Sequence, residues 1–169
     1  MECNLAQVHE TIAASCPGRE CIAWKDRRFT YRDVTDRSRR LANFLRSRGL
    51  GAASDRAGLS GWESGQDHVG LYLYNGNEYL EGMLGAFKAR AVPFNVNYRY
   101  VEEELLYLFR DAHARAVIYH ASLAPVLAQI LPQLCDVEVL LQVNDEPGRP
   151  LLPGAIDYDA AHDLFCSEG

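Results

Sequence analysis

The chain reads as an α/β fold in which a parallel sheet is covered by helices on both faces. Three observations predict it. From Val69 onward, short β-branched and aromatic runs alternate with segments whose apolar residues recur at helical spacing. Such alternation produces parallel strands joined by crossover helices. The chain has 169 residues, 48% of them hydrophobic, which is enough for one buried core. No apolar run approaches the roughly 20 residues that span a bilayer.

The elements follow in order. In "NLAQVHETIAASCPG", Leu5, Val8 and Ile12 have helical spacing and Pro17-Gly18 stops the helix. "CIAWKDRRFTY" reads as two short strands around a polar turn from Lys25 to Arg28. The arginine-rich "YRDVTDRSRRLANFLRSRG" places Tyr31, Val34, Ser38, Leu41 and Leu45 on one stripe, with Gly49-Leu50-Gly51 as its glycine stop. Residues 51–68 have no sustained period and are expected to be a loop or an insertion. "SDRAGLSG" there resembles "QDHVGLYL", but only the second copy continues into a β-rich run, so the strand is placed at Val69 to Tyr74 and the first copy is read as an insertion.

A helix of residues 78–90 follows, with Leu80, Met83, Leu84 and Phe87 on one face and Gly82, Gly85, Ala86 and Ala89 as a small surface for close packing. Strand "AVPFNV" leads to "VEEELLYLFRDA", whose expected core stripe is Val101, Leu105, Leu108, Phe109 and Ala112. Strand "AVIYH" leads to "SLAPVLAQILPQL", with Ser122 as N-cap and Leu123, Val126, Leu127, Ile130, Leu131 and Leu134 apolar. Strand "VEVLLQV", a turn-rich stretch and a last helix near Tyr158 to Phe165 complete the series. The whole of 1–169 is read as a single α/β subdomain.

Composition excludes several function classes. The cysteines (Cys3, Cys16, Cys21, Cys135, Cys166) are odd in number, scattered and without a C-x-x-C pair, which argues against a disulfide framework and a zinc ribbon. The histidines (His9, His68, His113, His120, His162) lack zinc-enzyme spacing. Net charge is -6, yet Arg19 to Arg56 hold eleven of the seventeen basic and five of the twenty-three acidic residues. An anionic ligand or membrane surface would suit such a block, but the arginines fall on the polar side of an amphipathic helix, and a solvated face explains them. The overall sign disfavours nucleic acid, although Tyr72, Tyr74, Tyr98 and Tyr100 look like a stacking platform. With no basic-then-apolar leader, the expected location is cytoplasmic and soluble, with a peripheral membrane contact as the variant.

The turn Asn75-Gly76-Asn77 stands between a strand and a helix, where phosphate is often held. It has one glycine and no G-x-G-x-x-G, and the chain has no Gly-Lys pair for a Walker loop. It reads as a positive-φ turn with a side-chain cap. Ser15, Ser54, Ser60 and Ser64 are outside any G-x-S-x-G. Asp67-His68 point apart as strand neighbours, and Glu102-Glu103-Glu104 suit the first turn of a helix.

The run "GNEYLEGMLGAFKARAVPFNVNYRYVEEELLYLFRDAHARAVIYHA" resembles the early part of the AMP-forming acyl-CoA synthetases, the adenylate-forming superfamily that includes fatty-acid–CoA ligases. "FTYRDVTDRSRRLANFLRSRGL" resembles the first core motif of that family and "GAFKARAVPFNVNYRY" the second; the likeness runs from about Leu5 to Asp163. It implies the start of the AMP-binding N-terminal domain of an enzyme that activates a fatty or other hydrophobic acid. There, ATP with Mg²⁺ would give an acyl-adenylate, and the CoA sulfur would displace AMP. The family's phosphate loop ending in Pro-Lys-Gly, its ribose-facing acidic motif, its hinge and its adenylation lysine have no counterpart here. No residue is therefore assigned a catalytic, cofactor-binding or metal-binding role, and none of these cofactors is expected on this chain alone. Two readings follow. In one, the chain is an N-terminal piece of a ligase, inactive by itself, whose partner is the remainder of the ligase chain and whose full enzyme takes a fatty or sterol-side-chain acid. In the other it is a stand-alone remnant that acts as a dimerisation or protein-binding module, a homo-oligomer formed through exposed helices or a sheet edge.

Overall fold

The computed structural model describes residues 4–52 and 55–165, so Cys3, Ser54 and Cys166 lie outside the described residues. Helix α1 (Leu5–Ser15) opens with a capping box between Asn4 and Gln7. A hairpin follows, β1 (Glu20–Trp24) and β2 (Arg27–Thr30), and its turn is only Lys25-Asp26, tighter than the expected Lys25 to Arg28. Trp24 pairs directly with Arg27, so Lys25 must take a φ of +50° to close two residues of turn. Helix α2 (Tyr31–Ser47) has its own capping box, Thr30 with Asp33, and ends at Gly49 with φ +80°. Across residues 51–68 the chain makes an isolated bridge, Ala52 with Gln66, and one 3-10 turn at Arg56–Gly58.

The main sheet then forms: β3 (His68–Tyr72), α3 (Asn77–Ala89), β4 (Val92–Asn95), α4 (Glu102–Asp111), β5 (Ala114–His120), α5 (Ala124–Ile130), β6 (Val139–Val143), β7 (Ile156–Asp157) and α6 (Tyr158–Asp163). All five strands run parallel in the order β4-β3-β5-β6-β7. The period of two divides each strand between the faces. Val69, Leu71, Ala116, Ile118, Val139 and Leu141 pack against α2, α3 and α6, while Tyr72, Val117, Tyr119 and Leu140 pack against α4 and α5. The sheet is thus covered on both faces, as the alternation of the sequence predicts. The two-residue β7 was not anticipated; no propensity pattern marks so short an edge strand, and it exists because β6 offers it a ladder at Leu141 and Gln142.

Glycines set the layer spacing. On α3 the buried face is the small one, Gly82, Gly85, Ala86 and Ala89 with Leu84, whereas Leu80, Met83 and Phe87 are only half-buried. A Cβ on Gly85 would lie 2.7 Å from Leu41 Cδ2 and 2.9 Å from its Cγ, so α3 meets α2 almost backbone to side chain. On the other face Gly70 admits Phe109, whose ring would stand 2.8 Å from an added Cβ.

Three further expectations are corrected. The charged face of α2 is not simply solvated: Arg37, Arg39 and Arg40 hold Glu81, Glu10 and Asp36 at 2.5–2.9 Å. Val101 is 55% exposed rather than core, because it is the N-cap residue of α4, one step outside the helical stripe. Ser122 does not cap α5. The chain after β5 first makes a 3-10 turn, Ala121–Leu123, and the Ser122 hydroxyl donates to Asp145 at 2.5 Å instead.

We expect Gly85→Ala to destabilise the chain by about 1–2 kcal/mol, the overpacking cost exceeding the gain in helix propensity because Leu41 is fully buried and cannot yield. Gly58→Ala, which meets nothing within 4 Å, should stay within about 0.5 kcal/mol. Urea unfolding of both variants checks this.

Candidate functional site

In an open parallel sheet the crevice lies at the carboxyl ends of the strands, where neighbouring crossovers leave toward opposite faces. Here that point falls between β3 and β5, since α3 packs on one face and α5 on the other. Its mouth is formed by the exits of β3 (Tyr74 to Asn77), β4 (Tyr98, Arg99) and β5 (His120, Ser122), by Asp145 after β6, and by the tip of the β1–β2 hairpin at Trp24.

His120 is the centre of this arrangement. It is 6% exposed, and its Nδ1 accepts the Tyr74 backbone N–H at 3.0 Å. A ring nitrogen that accepts carries no proton, so neutral His120 holds its hydrogen on Nε2. Burial lowers its pKa below the ordinary value; Asp145 and Glu78 pull the other way, and Lys25 adds to the lowering. The Tyr74 ring lies 5.4 Å from the imidazole and 4.8 Å from Tyr98, and the Arg99 guanidinium stands 5.6 Å from the Tyr98 ring centre. Two of the four tyrosines singled out in the sequence thus share a partly exposed aromatic surface. Tyr72 is fully buried and Tyr100 half-buried, packed with the α4 face.

The Asn75-Gly76-Asn77 turn is unlike its expected form. Gly76 has φ 176°, which is extended, and α3 has no side-chain cap. Asn77 is buried and turned inward, its Nδ2 donating to Glu81 Oε1 at 2.8 Å. Propensity could not show this, because the partner that diverts Asn77 lies one helical turn away and is itself held from α2. Glu78, paired with Arg27 at 2.9 Å, and buried Glu81 put two carboxylates in the first turns of the helix. The N-terminal turns of α3 are thus occupied by two carboxylates, each paired with an arginine. Among the described residues no group of three His, Cys, Asp or Glu is placed to hold a metal ion.

Among the described residues, no hydrogen bond joins a serine or cysteine to a histidine. Asp145 takes both the backbone N–H (3.0 Å) and the hydroxyl of Ser122, so the serine is a clamp between the β5 and β6 exits. Ser60 and Ser64 lie in the 51–68 segment, where Ser60 N–H meets Glu63, and Ser15 bonds its own helix. Asp67 binds Gly51 and Arg115, while His68 Nδ1 contacts the Ala112 carbonyl, so the two neighbours diverge. Glu104 closes the start of α4 on Val101 N–H at 3.1 Å. A groove of about 870 Å³ lies at the opposite end, between the N-terminus of α1, residues 59–66 and the start of β4. The candidate site is therefore a partly exposed edge of aromatic rings beside the His120 imidazole. His120 was legible only as the last residue of an apolar run, a position that gains meaning once the sheet is known to be parallel.

Comparison with known proteins adds to this geometry. The model of the family described as "AMP-binding enzyme" matches residues 9–161. The chain is 55% identical over 154 residues to the medium-chain acyl-CoA ligase Mig of Mycobacterium avium, covering 91% of this chain and 28% of that protein. It is 35% identical over 162 residues to a 3-oxocholest-4-en-26-oate–CoA ligase of Rhodococcus rhodochrous, covering 95% of this chain and 27% of that one. Among solved structures, an anthranilate CoA ligase, AuaEII, in complex with anthranoyl-AMP superposes with a TM-score of 0.83 at 19% identity, over 98% of this chain and 29% of that chain. A Mycobacterium tuberculosis fatty acyl CoA synthetase gives 0.77 at 21%, with the same coverage. At such identities the likeness to these structures is one of fold. The chain spans less than a third of the length of each of these relatives.

His120 should titrate below 6.5, and Asp145→Asn should lower it further by removing a carboxylate that favours the imidazolium. Nitrogen NMR of the imidazole across pH checks both the direction and the Nε2 tautomer.

Proposed function

This chain belongs to the AMP-binding enzyme family, and on that premise we propose that it supplies the N-terminal structural part of an AMP-forming acyl-CoA ligase. The 55% identity to the Mycobacterium avium medium-chain ligase is the observation that carries the reading. The full enzyme joins a medium- or long-chain fatty acid, or a sterol-side-chain acid, to CoA through an acyl-adenylate; the names of the relatives support both acid classes. ATP and Mg²⁺ supply activation of the carboxylate in that scheme. This chain acts there as scaffold: it builds the parallel sheet and presents the edge of Tyr74, Tyr98 and His120. In this reading the chain alone is inactive, which the two carboxylates in the first turns of α3 support. It works against, or as part of, the remainder of a ligase chain.

One observation favours a second reading, a dimerisation or protein-binding module. α1 is inverted: its inner side carries Ala6, Ala13 and Glu10, the last held by Arg39 and Lys88, while Leu5, Val8 and Ile12 are 62%, 45% and 43% exposed. The apolar spacing that identifies the helix in the sequence faces outward.

Replacing the matched part of the Mycobacterium avium ligase with residues 1–169 should leave a chimaera that releases pyrophosphate with medium-chain acids and makes the thioester. A folded chimaera without either activity would overturn the ligase reading. The chain alone should show no heat of ATP-Mg²⁺ binding by titration calorimetry. Under the second reading, light scattering would give a dimer that Val8→Glu converts to a monomer; a monomer at all concentrations removes that reading.

A further inference from the structure

The last two elements are attached in an unusual way. β7 has only two residues, and α6, which follows it, has six. What seats them on α2 and α3 is a polar cluster whose centre, Glu81, Tyr158 and His162, is buried while Asp159 at its rim is exposed. Glu81, at 0% exposure, accepts from Arg37 Nε at 2.8 Å, from Asn77 at 2.8 Å and from the Tyr158 hydroxyl at 3.1 Å. Arg37 reaches on to Asp159 at 3.0 Å, Phe44 meets Phe165 edge-on, and Arg40 donates to the Phe165 carbonyl at 3.3 Å. Against the Tyr158 ring, 4.6 Å away, lies His162, 3% exposed and with neither ring nitrogen bonded to a protein group.

His162 is thus the one member of the cluster with no partner for a charge. The groups that face it are Arg37, Arg40 and Asp36 of α2 and Asp159 of its own helix, with Glu81 of α3 behind Tyr158. Glu81 and Asp159 are already committed to Arg37, and Asp36 to Arg40. A proton on this imidazole would place a cation in a buried position beside two arginines, with no carboxylate hydrogen-bonded to the ring to receive it.

We propose that β7 and α6 form an acid-released strap, seated on α2 and α3 while His162 is neutral and lifted when the ring is protonated. Burial, and after it Arg37, hold the seated imidazole down at about 4, against 6.5 for a free one. The cation therefore prefers the lifted state. The seat is complete above pH 6.5 and weakens as pH falls from there to about 4, the opening constant rising about tenfold per unit. The inference does not depend on the ligase reading, since it concerns only how this segment is held.

Hydrogen exchange of residues 156–165, corrected for the intrinsic pH dependence of exchange, tests it at about pH 7, 6 and 5. Expected is a rise of about tenfold in strap opening between the two lower values, with peptides of β3 and β5 unchanged, and loss of that rise in His162→Gln. Tyr158→Phe, which keeps the histidine and removes one bond to Glu81, should open more at every pH with the same slope. Protection that is flat between pH 7 and 5 overturns the proposal, as does an equal slope in His162→Gln. Should the glutamine variant fail to seat at neutral pH, a flat profile in Tyr158→Phe overturns it.

Discussion

A carboxylate can stay ionised at zero exposure only where its charge is matched and its lone pairs are filled. Glu81 meets that condition by drawing a donor from each of three directions, and the upper layer is arranged around it. Arg37 fixes the rotation of α2. Asn77 is turned away from capping α3, and Tyr158 fixes where α6 begins. With the charge satisfied, the small face of α3 can press on Leu41 at Gly85, a contact that a rotated α2 would lose. One polar junction thus determines how closely two helices approach and what becomes of the turn above them.

The same junction explains which parts of the fold were legible in the sequence. Element type followed from periodicity, because burying one face of a helix or both faces of a parallel strand leaves its period in the residues. Leu105 and Phe109 on α4, and Val34, Ser38, Leu41 and Leu45 on α2, are buried as their spacing predicts. Most of the failures involve a polar residue whose local preference was overridden by a side-chain partner. Ser122 was taken by Asp145, Asn77 by Glu81, and the arginines of α2 by acids on three other elements. On α1 the reverse occurred. The periodic stripe is real, yet it faces outward while Glu10, on the inner side, pairs with Lys88 and Arg39.

The candidate site was less legible than the fold. Tyr74, Tyr98 and His120 are separated by long stretches of chain and share no motif; only the parallel order of the strands brings them to one edge. The glycine turn, which drew attention as sequence, holds carboxylates. Family resemblance supplied what spacing could not, and the family match over residues 9–161 bears it out.

The strand order has a consequence for how the molecule comes to be folded. β3 and β5 are central neighbours, with His68 opposite Ala114, yet α3, β4 and α4 lie between them in the chain. The middle of the sheet can therefore close only after a long loop has been drawn in, and the entropy of that closure precedes any contact it rewards. The helix pair α2 and α3, joined near Leu41 and Gly85, is available earlier and gives β3 a surface to wait on. On a ribosome, β3 emerges well before its central partner, and even after β4 has paired along one side of it the other edge stays open until β5 follows.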